Sequence, residues 1–296
     1  MAQITDLVGR TPLAELQHLN PNPKVRVLLK LEGLNPGGSV KDRPARNMIL
    51  EALNRGEIVA GDTLIEATSG NTGIALAYLS RAAGLKMKLV MPETATPERV
   101  KIMRAYGAEV ILVSSDRGIE AARDYAEEQS RKHGHLILDQ FGNHDNWKAH
   151  YKTTGPEIWQ ETEGKITHFV SAMGTTGTIM GVSKYLKAQR SEIEIVGVQP
   201  KEGSRIPGIR KWSEDYLPAI FDRRRVDRIR EVNAEEAKST ARALANQEGI
   251  FCGISSGGAA TIALRLAAEI EEGTIVSIAC DGGGRYLSSD LFQFNP

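Results

Sequence analysis

Short β-branched runs alternate along the chain with longer stretches of helical period. "TLIEA" (63–67) precedes a helix-like 72–83, "KMKLVM" (86–91) precedes 97–106, and "AEVILV" (108–113) precedes 117–132. The order returns later with "THFVSAM" (167–173) before 178–188, then "EIEIVGV" (192–198), and a helix at 257–271 before "TIVSIA" (274–279). Strands alternating with helices of this length predict an α/β fold of parallel sheets covered on both faces. The connections are short and rich in Gly, Asn, Asp and Ser, as tight turns require.

These strand–helix units form two series, separated by the turn-rich stretch 133–156 with its "HGH", "FGNHDNW" and "TTGP". Two sheets with a cleft between them is the expectation, and such clefts are favoured ligand sites. One longer irregular segment, 199–223, reads either as a lid or binding loop or as an inert surface excursion. The 296 residues suffice for two domains or for one large one, and 25% charged residues argue for a packed core over disorder.

Lys plus Arg equals Asp plus Glu at 37 each. No net field steers the chain toward nucleic acid or an acidic membrane, so any anion must be caught by a local site. The basic run "DRRRVDRIR" (222–230) has acidic interruptions and reads as a solvated strand. The start has no basic head and apolar core of a secretory signal, and no apolar run nears the roughly 20 residues that span a bilayer. Cys252 and Cys280 are too few for a disulfide framework. Cytoplasmic localisation, with no membrane or nucleic-acid partner, is the expectation. Five of the six histidines lie between His133 and His168 without metal-ligand spacing; they are expected on loops or the surface, with no metal.

The candidate chemistry sits in glycine-rich turns that enter helices. "EATSGNTGIALA" (66–77) and "SAMGTTGTIMGV" (171–182) each join a strand to a helix, where ligands collect in open α/β sheets. A helix start offers free N–H groups and a partial positive charge, suiting carboxylate or phosphate. Neither turn has the G-x-G-x-x-G or G-x-x-x-x-G-K-[ST] register, so dinucleotide and P-loop readings lack support. One such turn alone is equally an ordinary N-cap. A third, "GISSGGAA" (253–260), offers Ser255 and Ser256 either as caps or as a hydroxyl aimed at a heteroaromatic nitrogen. "NPGGSVKDR" (35–43) brings Lys41 to another helix start, where it can hold an anion, bond covalently or be solvated. Two anion cradles and one lysine together make a stronger set than any one alone.

"LVGRTPL", "KLEGLNPGGSVKDR", "IEATSGNTGIALA", "MGTTGT" and "GIFCGISSGGA", in this order from about Val8 to about Leu287, resemble the pyridoxal-phosphate enzymes of fold type II. Within these they resemble the O-acetylserine sulfhydrylase, or cysteine synthase, family, and "IPGIRKW", "YLPAIF" and "ACDGGGRYLS" its B-type branch. The resemblance implies two open, twisted, mostly parallel three-layer α/β domains, as in tryptophan synthase β, with pyridoxal 5'-phosphate in the cleft. A smaller, mobile domain would span 36–146; a larger one, 1–35 and 147–296, would hold the cofactor phosphate.

It further implies that Lys41 binds the cofactor covalently and acts as the catalytic amine. The turn Gly174, Thr175, Thr176, Gly177, Thr178 would hold the phosphate, Asn71 the ring's phenolic oxygen, and Ser255 the pyridine nitrogen. Thr68, Ser69, Gly70, Asn71 and Thr72 would bind the substrate carboxylate with Gln140. Arg210, beside Lys211 and Trp212, would supply counter-charge for thiosulfate. The implied reaction is β-replacement on O-acetyl-L-serine by sulfide, giving L-cysteine, and by thiosulfate, giving S-sulfocysteine. The family also implies a homodimer and, for the B type, no tight serine acetyltransferase complex. Alternatives are another fold type II enzyme, such as cystathionine β-synthase or a serine/threonine dehydratase, or a non-catalytic cofactor-binding regulator. Two departures stand out: Lys211 where an arginine is usual, and a less charged "DGGGRYLS" ending.

Overall fold

The computed structural model describes residues 2–114 and 117–293. Its strands are β1 (Leu13–Glu15), β2 (Val25–Leu31), β3 (Thr63–Ala67), β4 (Lys86–Pro92), β5 (Glu109–Val113), β6 (His168–Ala172), β7 (Glu194–Pro200), β8 (Arg228–Val232) and β9 (Gly273–Ala279). The helices are α1 (Asp42–Asn54), α2 (Asn71–Ala82), α3 (Pro97–Ala105), α4 (Ile119–His133), α5 (His144–Lys152), α6 (Thr154–Glu161), α7 (Gly177–Gln189), α8 (Ala234–Glu248) and α9 (Ile254–Glu269). The chain divides into two compact units, Met1–Val8 with Lys41–Asn146, and Gly9–Val40 with Trp147–Pro296.

The smaller unit is built on a parallel sheet ordered β3-β4-β5. Alternation along the strands sends side chains to two different cores. Leu64, Met87, Leu89 and Met91 pack with Met48, Ile74 and Met103 of α1, α2 and α3. Ile65 and Val90 pack instead with Ala122 and Ala126 of α4. The unit is therefore three layers deep, and each fully buried side chain of this size contributes about 1.5–3 kcal/mol. The N-terminal segment joins this unit because Arg46 Nε donates to the Thr5 carbonyl at 2.7 Å.

The larger unit carries a six-stranded sheet ordered β1-β2-β9-β6-β7-β8. All its pairings are parallel except that of β1 with β2. Val27, Leu29, Val196, Val198 and Ile275 face the α8 and α9 side. Leu28, Phe169, Ile195 and Val276 face Ile158 of α6 and Ile179 and Leu186 of α7. Residues 36–40 fall in this unit and not in the smaller one. Val40 N–H donates to the Cys280 carbonyl at 2.8 Å, and the Arg285 guanidinium binds the Gly37 carbonyl. β8, at the sheet edge, carries Arg228 and Arg230, which pair with Glu194 and Glu269. Charged outward positions of this kind suit an edge strand, which otherwise invites pairing with another chain.

Candidate active site

In each unit one glycine-rich candidate turn stands where a parallel strand gives way to a helix. In the smaller unit Thr68–Gly70 connects β3 to α2, and Gly70 precedes the helix at φ −111° with no side-chain cap on the helix start. By contrast, Asn233 and Glu236 close a reciprocal capping box at the start of α8. The start of α2 therefore lacks a side-chain cap, and the helix dipole favours an anion there. An added Cβ at Gly70 would meet open space, so nothing in the unit fills the position in front of the helix.

Thr72 Oγ1 donates to Gln140 Oε1 at 2.8 Å, a buried bond that brings two predicted residues together across 68 positions of sequence. Gln140 is further fixed by its main-chain carbonyl, which accepts from Asn146 Nδ2 at 2.6 Å. Lys41, half-buried, is the residue that precedes α1. The adjoining Asp42 is fully buried and accepts from the Tyr78 hydroxyl at 3.0 Å, which fastens the start of α1 to α2.

In the larger unit the turn Gly174–Thr178 joins β6 to α7. Thr176 sits at φ +70°, a left-handed conformation in which β-branched residues are strained, and such strain concentrates at ligand sites. Its Oγ1 is buried and has no hydrogen-bond partner among the described residues. A buried hydroxyl left without a partner costs about 1–3 kcal/mol, so its position calls for a ligand oxygen. No side chain caps α7; Gly177 N–H lies 3.4 Å from Thr175 Oγ1. Thr178 Oγ1 lies 3.3 Å from Nε2 of His150, whose Nδ1 is 2.9 Å from Thr154 Oγ1.

Gly208 joins this turn to Ser255. A Cβ at Gly174 would lie 2.7 Å from the Gly208 carbonyl oxygen, and one at Gly208 would lie 3.4 Å from Ser255 Oγ. Ser255 is in the first turn of α9, 4% exposed, while its neighbour Ser256 accepts the Cys280 N–H at 2.8 Å. Ser256 is thus a structural anchor, and Gly253, not either serine, precedes the helix as its cap. Arg210 is exposed; its N–H donates to the Met173 carbonyl at 2.8 Å and its guanidinium lies 5.1 Å from the Trp212 ring. Trp212 Nε1 in turn donates to the Gly174 carbonyl at 2.9 Å. The loop of residues 200–213 and Tyr216 lines a groove of about 840 Å³.

The smaller unit therefore gathers Thr68–Thr72 and Gln140, and the larger gathers Gly174–Thr178, Ser255 and Arg210. Sequence reasoning missed His150, expected on a loop or surface but 1% exposed on α5, where it braces Thr178. It also missed Gly208 and the anchoring role of Trp212. Their only sequence signal is a glycine and an aromatic inside a segment without periodicity. Among the described residues no group of three or more His, Cys, Asp or Glu is placed to hold a metal ion, and no helix is long and apolar enough to cross a membrane.

Two parallel-sheet units with uncapped, glycine-rich helix starts and a neutral serine at a third helix start define an α/β enzyme of the fold type II class. Residues 4–281 match the family described as "Pyridoxal-phosphate dependent enzyme", and the chain belongs to that family. More narrowly, it is 58% identical over 290 residues to cysteine synthase B of Pseudomonas aeruginosa, covering 98% of this chain and 97% of that protein. It is 55% identical over 292 residues to cysteine synthase B of Escherichia coli, covering 99% and 96%. The crystal structure of cysteine synthase from Entamoeba histolytica superposes with a TM-score of 0.94 at 37% identity, covering 100% of this chain and 92% of that one. The cofactor of the family, pyridoxal 5'-phosphate, fits the residues present: the partnerless Thr176 hydroxyl and the uncapped start of α7 suit its phosphate.

Proposed function

We propose that the chain is a cysteine synthase, replacing the acetoxy group of O-acetyl-L-serine with sulfide to give L-cysteine and acetate. The observation that carries this reading is the Gly174–Thr178 turn, where a strained residue buries a hydroxyl with no partner among the described residues. The likeness to cysteine synthases over nearly the whole chain supports the choice of reaction.

When bound, the cofactor draws electrons from the amino acid's α carbon, so that the α proton can leave and a β substituent can be expelled. The residues divide the remaining work. Gly174, Thr175, Thr176, Gly177 and Thr178 hold the phosphate, with His150 bracing Thr178. Asn71 binds the phenolic oxygen and Ser255 the pyridine nitrogen. A serine hydroxyl brings no charge to that nitrogen, which favours loss of a β leaving group over amino-group transfer. Thr68–Thr72 and the Gln140 amide bind and orient the substrate carboxylate. Lys41 Nζ would hold the cofactor covalently until the substrate's own amine displaces it; the freed lysine amine would then take the proton from the α carbon and return it after sulfide adds at the β carbon. General-base assistance of this kind typically contributes about 10²–10⁴-fold.

Thiosulfate as a second donor, giving S-sulfocysteine, belongs to the same reading. Thiosulfate is a dianion larger than bisulfide, and the Arg210 guanidinium with Lys211 offers counter-charge on a loop fastened to the phosphate turn. Lys211 also pairs with Glu231 at 2.9 Å. The protein would act in the cytoplasm as a homodimer without a tight serine acetyltransferase complex. The test is product analysis of the purified protein with O-acetyl-L-serine and sulfide, against L-serine and homocysteine. Cysteine from the first pair supports the proposal, and cystathionine from the second with no cysteine from the first would refute it.

A further inference from the structure

One buried acid of the smaller unit takes no part in the chemistry described so far. Glu66 lies near the end of β3, two residues before Thr68, and is 6% exposed. Its Oε2 accepts the backbone N–H of Asp139 at 3.3 Å. Asp139 is held at φ +51°, and its carboxylate accepts the Phe141 N–H at 3.1 Å. Its carbonyl closes the same turn on the N–H groups of Gly142 and Asn143, at 3.2 and 2.9 Å. The next residue is Gln140, bonded to Thr72 at the start of α2. A continuous line of contacts thus leads from the Glu66 carboxyl, through one strained residue, to the amide assigned to the substrate carboxylate.

We propose that Glu66 is a positioning residue whose own protonation state sets how tightly the amino-acid carboxylate is held. The inference rests on the reading of Thr68–Thr72 and Gln140 as the carboxylate site. An ionised carboxylate accepts an N–H more strongly than a neutral acid does, and here that N–H fixes the turn carrying Gln140. Two charged groups face Glu66: the Asp139 carboxylate on the turn beside it and the Arg123 guanidinium of α4. Burial chiefly, and then Asp139, push the Glu66 carboxyl up to about 7; the backbone N–H groups of Asp139 and Leu138, and Arg123, oppose the rise. An acid with an ordinary carboxylate value would stay ionised across the neutral range and could carry no such signal. Binding should tighten as the pH rises through neutrality, because the stronger acceptor is the ionised form.

The probe is L-serine, an amino acid with a poor leaving group, titrated into cofactor-loaded protein and followed by the visible spectrum. Wild type, Glu66→Gln and Asp139→Asn are compared across a pH series from about pH 6 to about pH 8.5, which spans the expected transition. Glu66→Gln imitates the neutral acid, so the ratio of its dissociation constant to that of wild type should be about three- to tenfold at the higher pH and near one at the lower. The ratio cancels titrations of the amino acid itself. Asp139→Asn removes the facing like charge and should move the wild-type transition to lower pH; being exposed, it decides the matter alone if Glu66→Gln does not fold. A Gln-to-wild-type ratio equal at both ends of the series, or an unmoved transition in Asp139→Asn, would overturn the inference. A wild-type spectrum that no amino acid perturbs would overturn the underlying site reading instead.

Discussion

Substituting Gly174 by alanine probes the phosphate turn with a single methyl group. The new Cβ would stand 2.7 Å from the Gly208 carbonyl oxygen, a main-chain atom with no side-chain rotamer to yield. An unstrained carbon–oxygen contact is about 3.2 Å or more, so the turn and the Gly208 segment must part by roughly 0.5 Å. Trp212 resists the movement on one side through its bond to the Gly174 carbonyl. Overpacking of this kind costs about 1–3 kcal/mol. Part of it should appear as a lower urea midpoint of the cofactor-free protein. The rest should appear as weaker cofactor binding, because the displaced residues include the N–H groups and hydroxyls aimed at the phosphate. A loss of about 1.4–2.8 kcal/mol there corresponds to a cofactor dissociation constant about 10- to 100-fold higher, measured by absorbance titration. Gly284→Ala, whose added Cβ meets nothing within 4 Å, is the control and should stay within about 0.5 kcal/mol of wild type. A Gly174→Ala protein that is destabilised yet binds cofactor as wild type does would refute the assignment of this turn.

Arg210→Ala should lower turnover with thiosulfate more than with sulfide, because only the larger dianion needs the guanidinium; steady-state rates with the two donors compare them directly, and equal losses would count against the loop's role. Burial chiefly, and then the nearby charge of Asp281, push the Cys252 thiol up to about 12, while a hydrogen bond with Ser256 lowers it. Cys252 should therefore stay protonated and unalkylated at about pH 8 in the folded protein while the partly exposed Cys280 reacts first. Peptide mapping after iodoacetamide reads the order, and prior labelling of Cys252 would contradict the burial argument.

The sequence made the smaller unit's sheet legible because its strands alternate sharply with their helices. The run 63–67 coincides with β3, and 86–91 and 108–113 differ from β4 and β5 by one residue at an end. The stretch 133–156 was harder. Its turn residues mark only the entries to α5 and α6, and Pro156 lies in the first turn of α6, where the missing N–H is not needed. β2 hides behind Lys30, which is fully buried because Glu157 and Glu161 meet its ammonium at 3.0 and 2.8 Å. Such pairings come from distant positions and leave no local pattern. The same holds for the site. The glycine- and threonine-rich turns announced themselves, but the burial of His150, the Gly208 bridge from Gly174 to Ser255 and the Glu66–Asp139 contact depend on packing that no local window contains.

The covalent bond between one lysine and the cofactor is the claim on which the chemistry depends. Borohydride reduction of the purified, yellow protein, followed by proteolysis and mass spectrometry, locates it directly. The expected result is a single pyridoxyl-modified peptide carrying the label on Lys41, absent from Lys41→Ala. A label on another lysine, or none in a protein loaded with cofactor, would contradict the account.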